Sequence, residues 1–203
     1  MVHALRVSPL LVALCLLALL TGRGYGQGQG SSDEHSRIQA GFAIAPVPLD
    51  LKGKNKALVG LGSYIVNGQG DCAGCHSTPT YAEGGDPHLG QPEEISQDTY
   101  LSGGGDLFGP FVPRNLTPNA SGEPAGLSLD EFMETIRTGR DMKNRAPHVP
   151  GEGDNDLLQV MPWPVFRKMS DRELQAIYEY LSAIPCIPGR EGVAATGRTT
   201  RCD

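Results

Sequence analysis

Cys72-Ala73-Gly74-Cys75-His76 is the stretch on which the reading of this chain turns. Two thiols two residues apart, with an imidazole directly after the second, spell C-x-x-C-H. Through this pattern a polypeptide bonds covalently to the vinyl groups of a haem and ligates its iron. The short spacer lets one turn of backbone present both sulfurs to the same porphyrin edge, and the adjoining imidazole then meets the proximal face. Cys72 and Cys75 are therefore candidate attachment points, and His76 is a candidate iron ligand.

A bare C-x-x-C has two other common uses, as a redox dithiol and as half of a zinc site. A structural zinc site needs four ligands, usually in two spaced pairs, and Cys186 and Cys202 lie far away at an unsuitable separation. A redox dithiol belongs between a strand and a helix of a βαβ unit. Here a helical pattern precedes the motif and a Gly/Pro-rich stretch follows it. Haem attachment fits best. No other C-x-x-C-H occurs in the sequence, so one covalent haem c is expected.

The first residues fit the same chemistry. His3 and Arg6 precede an apolar run over residues 10–20, with Gly24 and Gly26 at a cleavage region, which predicts a signal peptide over residues 1–26. The run falls short of the about 20 apolar residues that span a bilayer. Gly22-Arg23-Gly24 is an imperfect cleavage region, so an uncleaved anchor is the alternative, and membrane association is expected only in that case. Bulky Leu14 argues against lipid attachment at Cys15, which leaves with the signal. The expected location is periplasmic or exported. In such an oxidising compartment Cys186 and Cys202 are expected to form a disulfide, worth roughly 3 kcal/mol, that pins a tail over residues 186–203.

The formal net charge is −6 and becomes −8 without residues 1–26, which carry Arg6 and Arg23 but no acid. Such a surface disfavours nucleic acid and suits docking on the basic patch of a redox partner.

Residues 27–52 are rich in Gly, Gln, Ser and Pro without a regular period, and read as a flexible tether. A domain over residues 53–185 follows. Asn55 is the expected N-cap of a helix bearing Leu58, Leu61, Tyr64 and Ile65 on one face. Gly60 and Gly62 weaken that helix unless another backbone packs closely on it. From His76 to Ser128 the chain reads as a long irregular loop, in which Phe108, Phe111 and Val112 form a short hairpin or wrap the haem edge. Ser128 and Glu131 form a capping box that opens a helix with Phe132, Met133 and Ile136 on one face, closed by Gly139. Ser170 and Glu173 repeat the device ahead of Leu174, Ile177, Tyr178 and Leu181, with Pro185 beyond the end. Three helices with long connections make only a small core, so the haem itself is expected to complete it.

An electron carrier fills both axial positions of its iron, and a thioether on the far side favours the ferrous state. The candidates are Met133, Met142, Met161, Met169, His88 and His148. Met161 stands out because Val160-Met161-Pro162-Trp163-Pro164 is held extended by its prolines, leaving the side chain uncommitted to a helix. Arg114, Asn115 and Trp163 are candidate donors to haem propionates.

In chain order, C-x-x-C-H after a Gly/Tyr helix, Asn115-Leu116-Thr117-Pro118, Leu127-Ser128-Leu129-Asp130-Glu131-Phe132, Met161-Pro162-Trp163 and a final Tyr/Leu helix resemble a class I c-type cytochrome. The nearest likeness is to the cytochrome c modules associated with membrane-bound alcohol, aldehyde or sugar-acid dehydrogenases. The resemblance covers about residues 53–185. It implies an all-α fold, the small cytochrome c fold, with N- and C-terminal helices crossing around one covalently bound haem and a long irregular loop after the haem motif. It also implies ligation by His76 and Met161, single-electron transfer without substrate turnover, and redox protein partners such as a membrane-bound dehydrogenase or a terminal oxidase. Two alternatives stay open: an open-site haem protein with peroxidase or gas-binding activity, and a resident cytochrome subunit of a dehydrogenase or oxidase complex.

Overall fold

A computed structural model of the chain describes residues 27–104, 111–140, 157–189 and 202. The chain divides into two units, Met1–Ser36 and Arg37–Asp203. In the first, residues 27–36 are helical, and the Ser36 hydroxyl donates to the Ser32 carbonyl at 2.9 Å.

The helices are α1 (Gln27–Ile44), α2 (Lys56–Ser63), α3 (Cys72–His76), α4 (Leu129–Thr138), α5 (Trp163–Phe166) and α6 (Asp171–Leu181). A π-helical segment, Tyr64–Gln69, continues α2, and a 3₁₀ turn occupies Pro87–Leu89. No strand occurs among the described residues, which hold only the isolated bridges Tyr81 to Ile95, Pro118 to Pro124 and Arg140 to Leu157. The fold is helical, in keeping with the expected class.

Helix α1 corrects one expectation, since residues 27–44 are helical where the composition predicts an irregular tether. The glycines and serines at its start hide a segment, Ile38 to Phe42, whose helix is made worthwhile by packing rather than by propensity. A β-carbon on Gly60 of α2 would stand 2.8 Å from the Ile38 Cγ2 and 2.7 Å from the Phe42 ring, so the stretch from Ile38 to Phe42 sits hard against α2.

Asn55 caps α2 as expected, its Oδ1 accepting from the amides of Ala57 at 3.1 Å and Leu58 at 3.3 Å. On another side α2 meets α6 at backbone distance. A side chain at Gly62 would run into the Ala176 carbonyl, so only glycine lets these two helices close. The two glycines that weaken α2 as an isolated helix are thus its contact points with two neighbours.

Both capping boxes form. The Ser128 amide donates to Glu131 Oε2 at 2.9 Å, and the Ser170 amide to Glu173 Oε2 at 2.8 Å. Gly139 ends α4 in the left-handed conformation at φ 76°. Helix α6 buries Leu174, Ala176, Tyr180 and Leu181, while Ile177 and Tyr178 are half-buried. The Tyr178 hydroxyl donates to the Leu127 carbonyl at 3.0 Å.

The main core joins Val59, Val66, Tyr100, Leu101, Leu127, Phe132, Ile136, Leu174, Tyr180 and Leu181. Tyr100 and Leu101 come from the Gly/Pro-rich stretch, and neither is announced by any period in the sequence. Tyr100 and Tyr180 are fully buried with their hydroxyls 2.8 Å apart. Asn67 serves both: its Oδ1 accepts from Tyr100 at 2.5 Å and its Nδ2 donates to Tyr180 at 3.1 Å. Burying two phenols costs little when each is bonded this way, and the network locks the π-helical segment to α6. Cys186 and Cys202 stand at disulfide distance, with Cα atoms 5.6 Å apart.

Candidate haem site

The turn that carries the motif begins at Asp71, whose backbone takes the left-handed conformation at φ 45°. The Asp71 carboxylate lies over Gly74, and a β-carbon there would meet its Oδ2 at 2.7 Å. A bulkier residue in place of Gly74 would displace the carboxylate or open the turn. Cys72 is half-buried and Cys75 exposed. Burial first, then the Asp71 carboxylate and the Cys75 thiol, push the Cys72 thiol up to about 12. Burial and Asp71 push Cys75 up as well. A redox dithiol needs a depressed thiol pKa to attack, so both shifts run against that use. The pairing of Cys186 with Cys202 likewise withdraws those two cysteines from any shared zinc site.

His76 closes the turn. Its Nδ1 is 2.7 Å from the carbonyl oxygen of Arg114, and because a carbonyl only accepts, Nδ1 carries the proton. The lone pair is then on Nε2, the nitrogen left for a metal. Burial holds the imidazole below its ordinary range; the Arg114 carbonyl opposes this shift and the Arg114 charge adds to it.

Cys72, Cys75 and His76 all line one cavity, of about 1450 Å³ with its open mouth included. Its walls come from several separate stretches of the second unit. Ile65 and Val66 come from the π-helical segment; Phe111, Val112, Pro113, Arg114 and Leu116 from the later part of the long loop; Leu127, Phe132 and Ile136 from around α4, and Leu174, Ile177 and Leu181 from α6. Leu158 to Pro162 complete the enclosure, with Met161 among them.

Of the six candidates for a distal ligand, Met161 and Met169 line this cavity. Met133 instead packs against the main core, and His88 is exposed on the 3₁₀ turn beside Tyr81. Met142 and His148, like Phe108, lie outside the described residues. Met169 packs against both the main core and the smaller cluster of Leu61, Ile65 and Ala176, which commits it to packing. Met161 belongs to the main cluster alone and is followed by Pro162, so its side chain is the less constrained of the two.

Two of the expected propionate donors are otherwise engaged. Asn115 is buried and gives its Nδ2 to the Ile187 carbonyl at 2.8 Å, and Trp163 gives its Nε1 to the Leu158 carbonyl at 3.2 Å. Arg114 does line the cavity. The sequence cannot separate these cases, because whether a loop side chain faces a ligand or a neighbouring carbonyl depends on contacts distant in the chain.

The donor set fits a haem. Two thiols, an imidazole and a thioether line the same apolar cleft, and its walls offer aliphatic and phenyl groups to a flat macrocycle. A helical fold and a donor set of this kind together suit a covalently bound haem.

Known proteins point the same way. Over 126 residues the chain is 29% identical to the gluconate 2-dehydrogenase cytochrome c subunit of Pantoea cypripedii, covering 62% of this chain and 23% of that protein. Over 141 residues it is 28% identical to the cytochrome c subunits of the quinone alcohol dehydrogenases of Gluconacetobacter polyoxogenes and Komagataeibacter europaeus, covering 70% of this chain and 24% of each. The chain thus spans about a quarter of the length of the curated relatives it matches. No family model matches it, and no solved structure matches it significantly. Its homologues are cytochrome c subunits of dehydrogenases, which implies haem c as the cofactor.

Proposed function

We propose that this chain is an exported monohaem c-type cytochrome of class I that carries single electrons. Cys72 and Cys75 form the thioether links, and His76 and Met161 hold the iron. Haem supplies the one-electron couple; the chain's residues hold it, shield it and tune it. Leu127, Phe132, Ile136 and Leu174 exclude water, and the carbonyl of Arg114 fixes the tautomer and orientation of His76. The convergence of Cys72, Cys75, His76 and Met161 on one apolar cavity carries this reading.

The homologues' names support a dehydrogenase as electron donor, with a second redox protein, such as a terminal oxidase, as acceptor. They equally support a resident subunit of such a complex. No helix among the described residues is long and apolar enough to cross a membrane, so membrane attachment would rest on the N-terminal segment. An open-site haem enzyme has less support, because two methionines line the cavity.

Expression in a host competent for cytochrome maturation tests the proposal. The exported protein should be red, keep its haem through acid acetone, and show a reduced spectrum that carbon monoxide leaves unchanged. A colourless product ends the proposal, and a carbon monoxide adduct in the native state replaces the carrier with an open-site protein.

A further inference from the structure

Asn115, expected at the propionates, is used elsewhere in a way that bears on His76. Asn115 and Thr117 are 1% and 0% exposed, and both turn towards Ile187, which lies beside Cys186. The Ile187 amide donates to Thr117 Oγ1 at 3.2 Å. A threonine hydroxyl has one proton to give. Asn115 Oδ1 at 2.7 Å is the nearer acceptor, and the Ile187 carbonyl at 3.2 Å the farther. The Ile187 carbonyl is in any case served by Asn115 Nδ2 at 2.8 Å. The bonds therefore close into a ring, from the Ile187 amide through Thr117 and Asn115 back to the Ile187 carbonyl. A further bond inside it, from the Thr117 amide to Asn115 Oδ1 at 2.8 Å, fixes the turn between the two residues.

The residue just before Asn115 is Arg114, whose carbonyl takes the Nδ1 proton of His76. We infer that Asn115 and Thr117 are positioning residues for His76, and that Ile187, beside the disulfide-bonded Cys186, is a strap that holds them in place. The inference rests on the haem reading above, and assigns to the C-terminal disulfide a role at the iron rather than only in tail stability. The strap does not act alone: Leu116 also donates to the Leu101 carbonyl at 2.8 Å, and Gly104 to the Pro113 carbonyl at 3.1 Å. Loosening it should weaken the His76 bond rather than abolish it.

A strong Nδ1 hydrogen bond raises the basicity of a ligating imidazole and so favours ferric iron. Thr117→Val in the full-length holoprotein, which keeps shape but removes the hydroxyl, should therefore raise the reduction potential. It should also speed solvent exchange of the His76 Nδ1 proton, followed by NMR. Thr117→Ser should restore both readouts. The pair Cys186→Ser with Cys202→Ser should move both in the same direction by a smaller amount. Ser128→Ala, which removes the cap of α4 without touching the ring, should lower stability and leave both readouts in place. Wild-type potential and exchange in Thr117→Val overturn the inference. Should that variant fail to accumulate, wild-type values in the double cysteine variant overturn the strap. A wild-type protein without a bond from iron to His76 fails the proposed function instead, and is seen before any variant is compared.

Discussion

The indole of Trp163 occupies the space where a β-carbon of Gly139 would stand. This joins the end of α4 to the segment that carries Met161, and two further bonds reinforce it: the Leu158 amide donates to the Gly139 carbonyl at 2.8 Å, and the Trp163 amide to the Met161 carbonyl at 2.7 Å. Gly139→Ala would force a methyl into the ring and hold an alanine at φ 76°. A loss of about 2 kcal/mol is expected from overpacking and strain together. Because the displaced indole anchors the Met161 segment, urea denaturation should show the weakening, and carbon monoxide should begin to bind the reduced protein. Full stability with unchanged ligand exclusion would detach Trp163 from the distal side.

Under the proposed ligation, Met161→Ala should lower the reduction potential and open the iron to carbon monoxide, since a thioether ligand stabilises the ferrous state. Met169→Leu, which keeps volume in a residue committed to packing, should leave the potential close to that of the parent. The reverse pattern would transfer the distal role to Met169, the other methionine of the cavity.

Replacing Cys72 and Cys75 together by Ala should leave any bound haem extractable by acid acetone, because no other thiol lines the cavity among the described residues. The pyridine haemochrome spectrum then reports two intact vinyl groups instead of two thioethers. Retention of covalent haem would refute the attachment assignment.

Tyr100 and Tyr180 give the fold an alkaline limit. Burial, then the charge and hydrogen bond of Tyr180, raise the Tyr100 phenol well above its ordinary value, with Asn67 pulling weakly the other way. Burial likewise raises Tyr180. An unfolded chain loses both protons near pH 10 whereas the folded chain keeps them, so above that pH the folded state binds more protons. The stability contribution is fully present below pH 10 or so and falls as pH rises through the folded values. Urea midpoints should drop above about pH 10, less steeply in Tyr100→Phe, while phenolate absorbance at these two residues appears only with unfolding. Ionisation of both in an intact fold would break the argument.

Much of the local structure is legible in the residues alone. The caps at Asn55, Ser128 and Ser170 and the stop at Gly139 all form as the short-range chemistry requires. Helix α1 was not legible, since its stability comes from Gly60 and its neighbours rather than from its own composition. Tyr100 was hidden for the same reason: its partners, Asn67 and Tyr180, are 33 and 80 positions away.

The sequence by itself determined the local donor set, because two thiols and an imidazole within five residues need only one turn of backbone to come together, and that turn forms at Cys72–His76. Tertiary structure alone decided which methionines reach the cavity, which way Asn115 and Trp163 turn, and what holds the carbonyl of Arg114 over His76. Those outcomes depend on contacts between segments far apart in the chain, whose geometry exists only once α2 and α6 have closed on each other at Gly62.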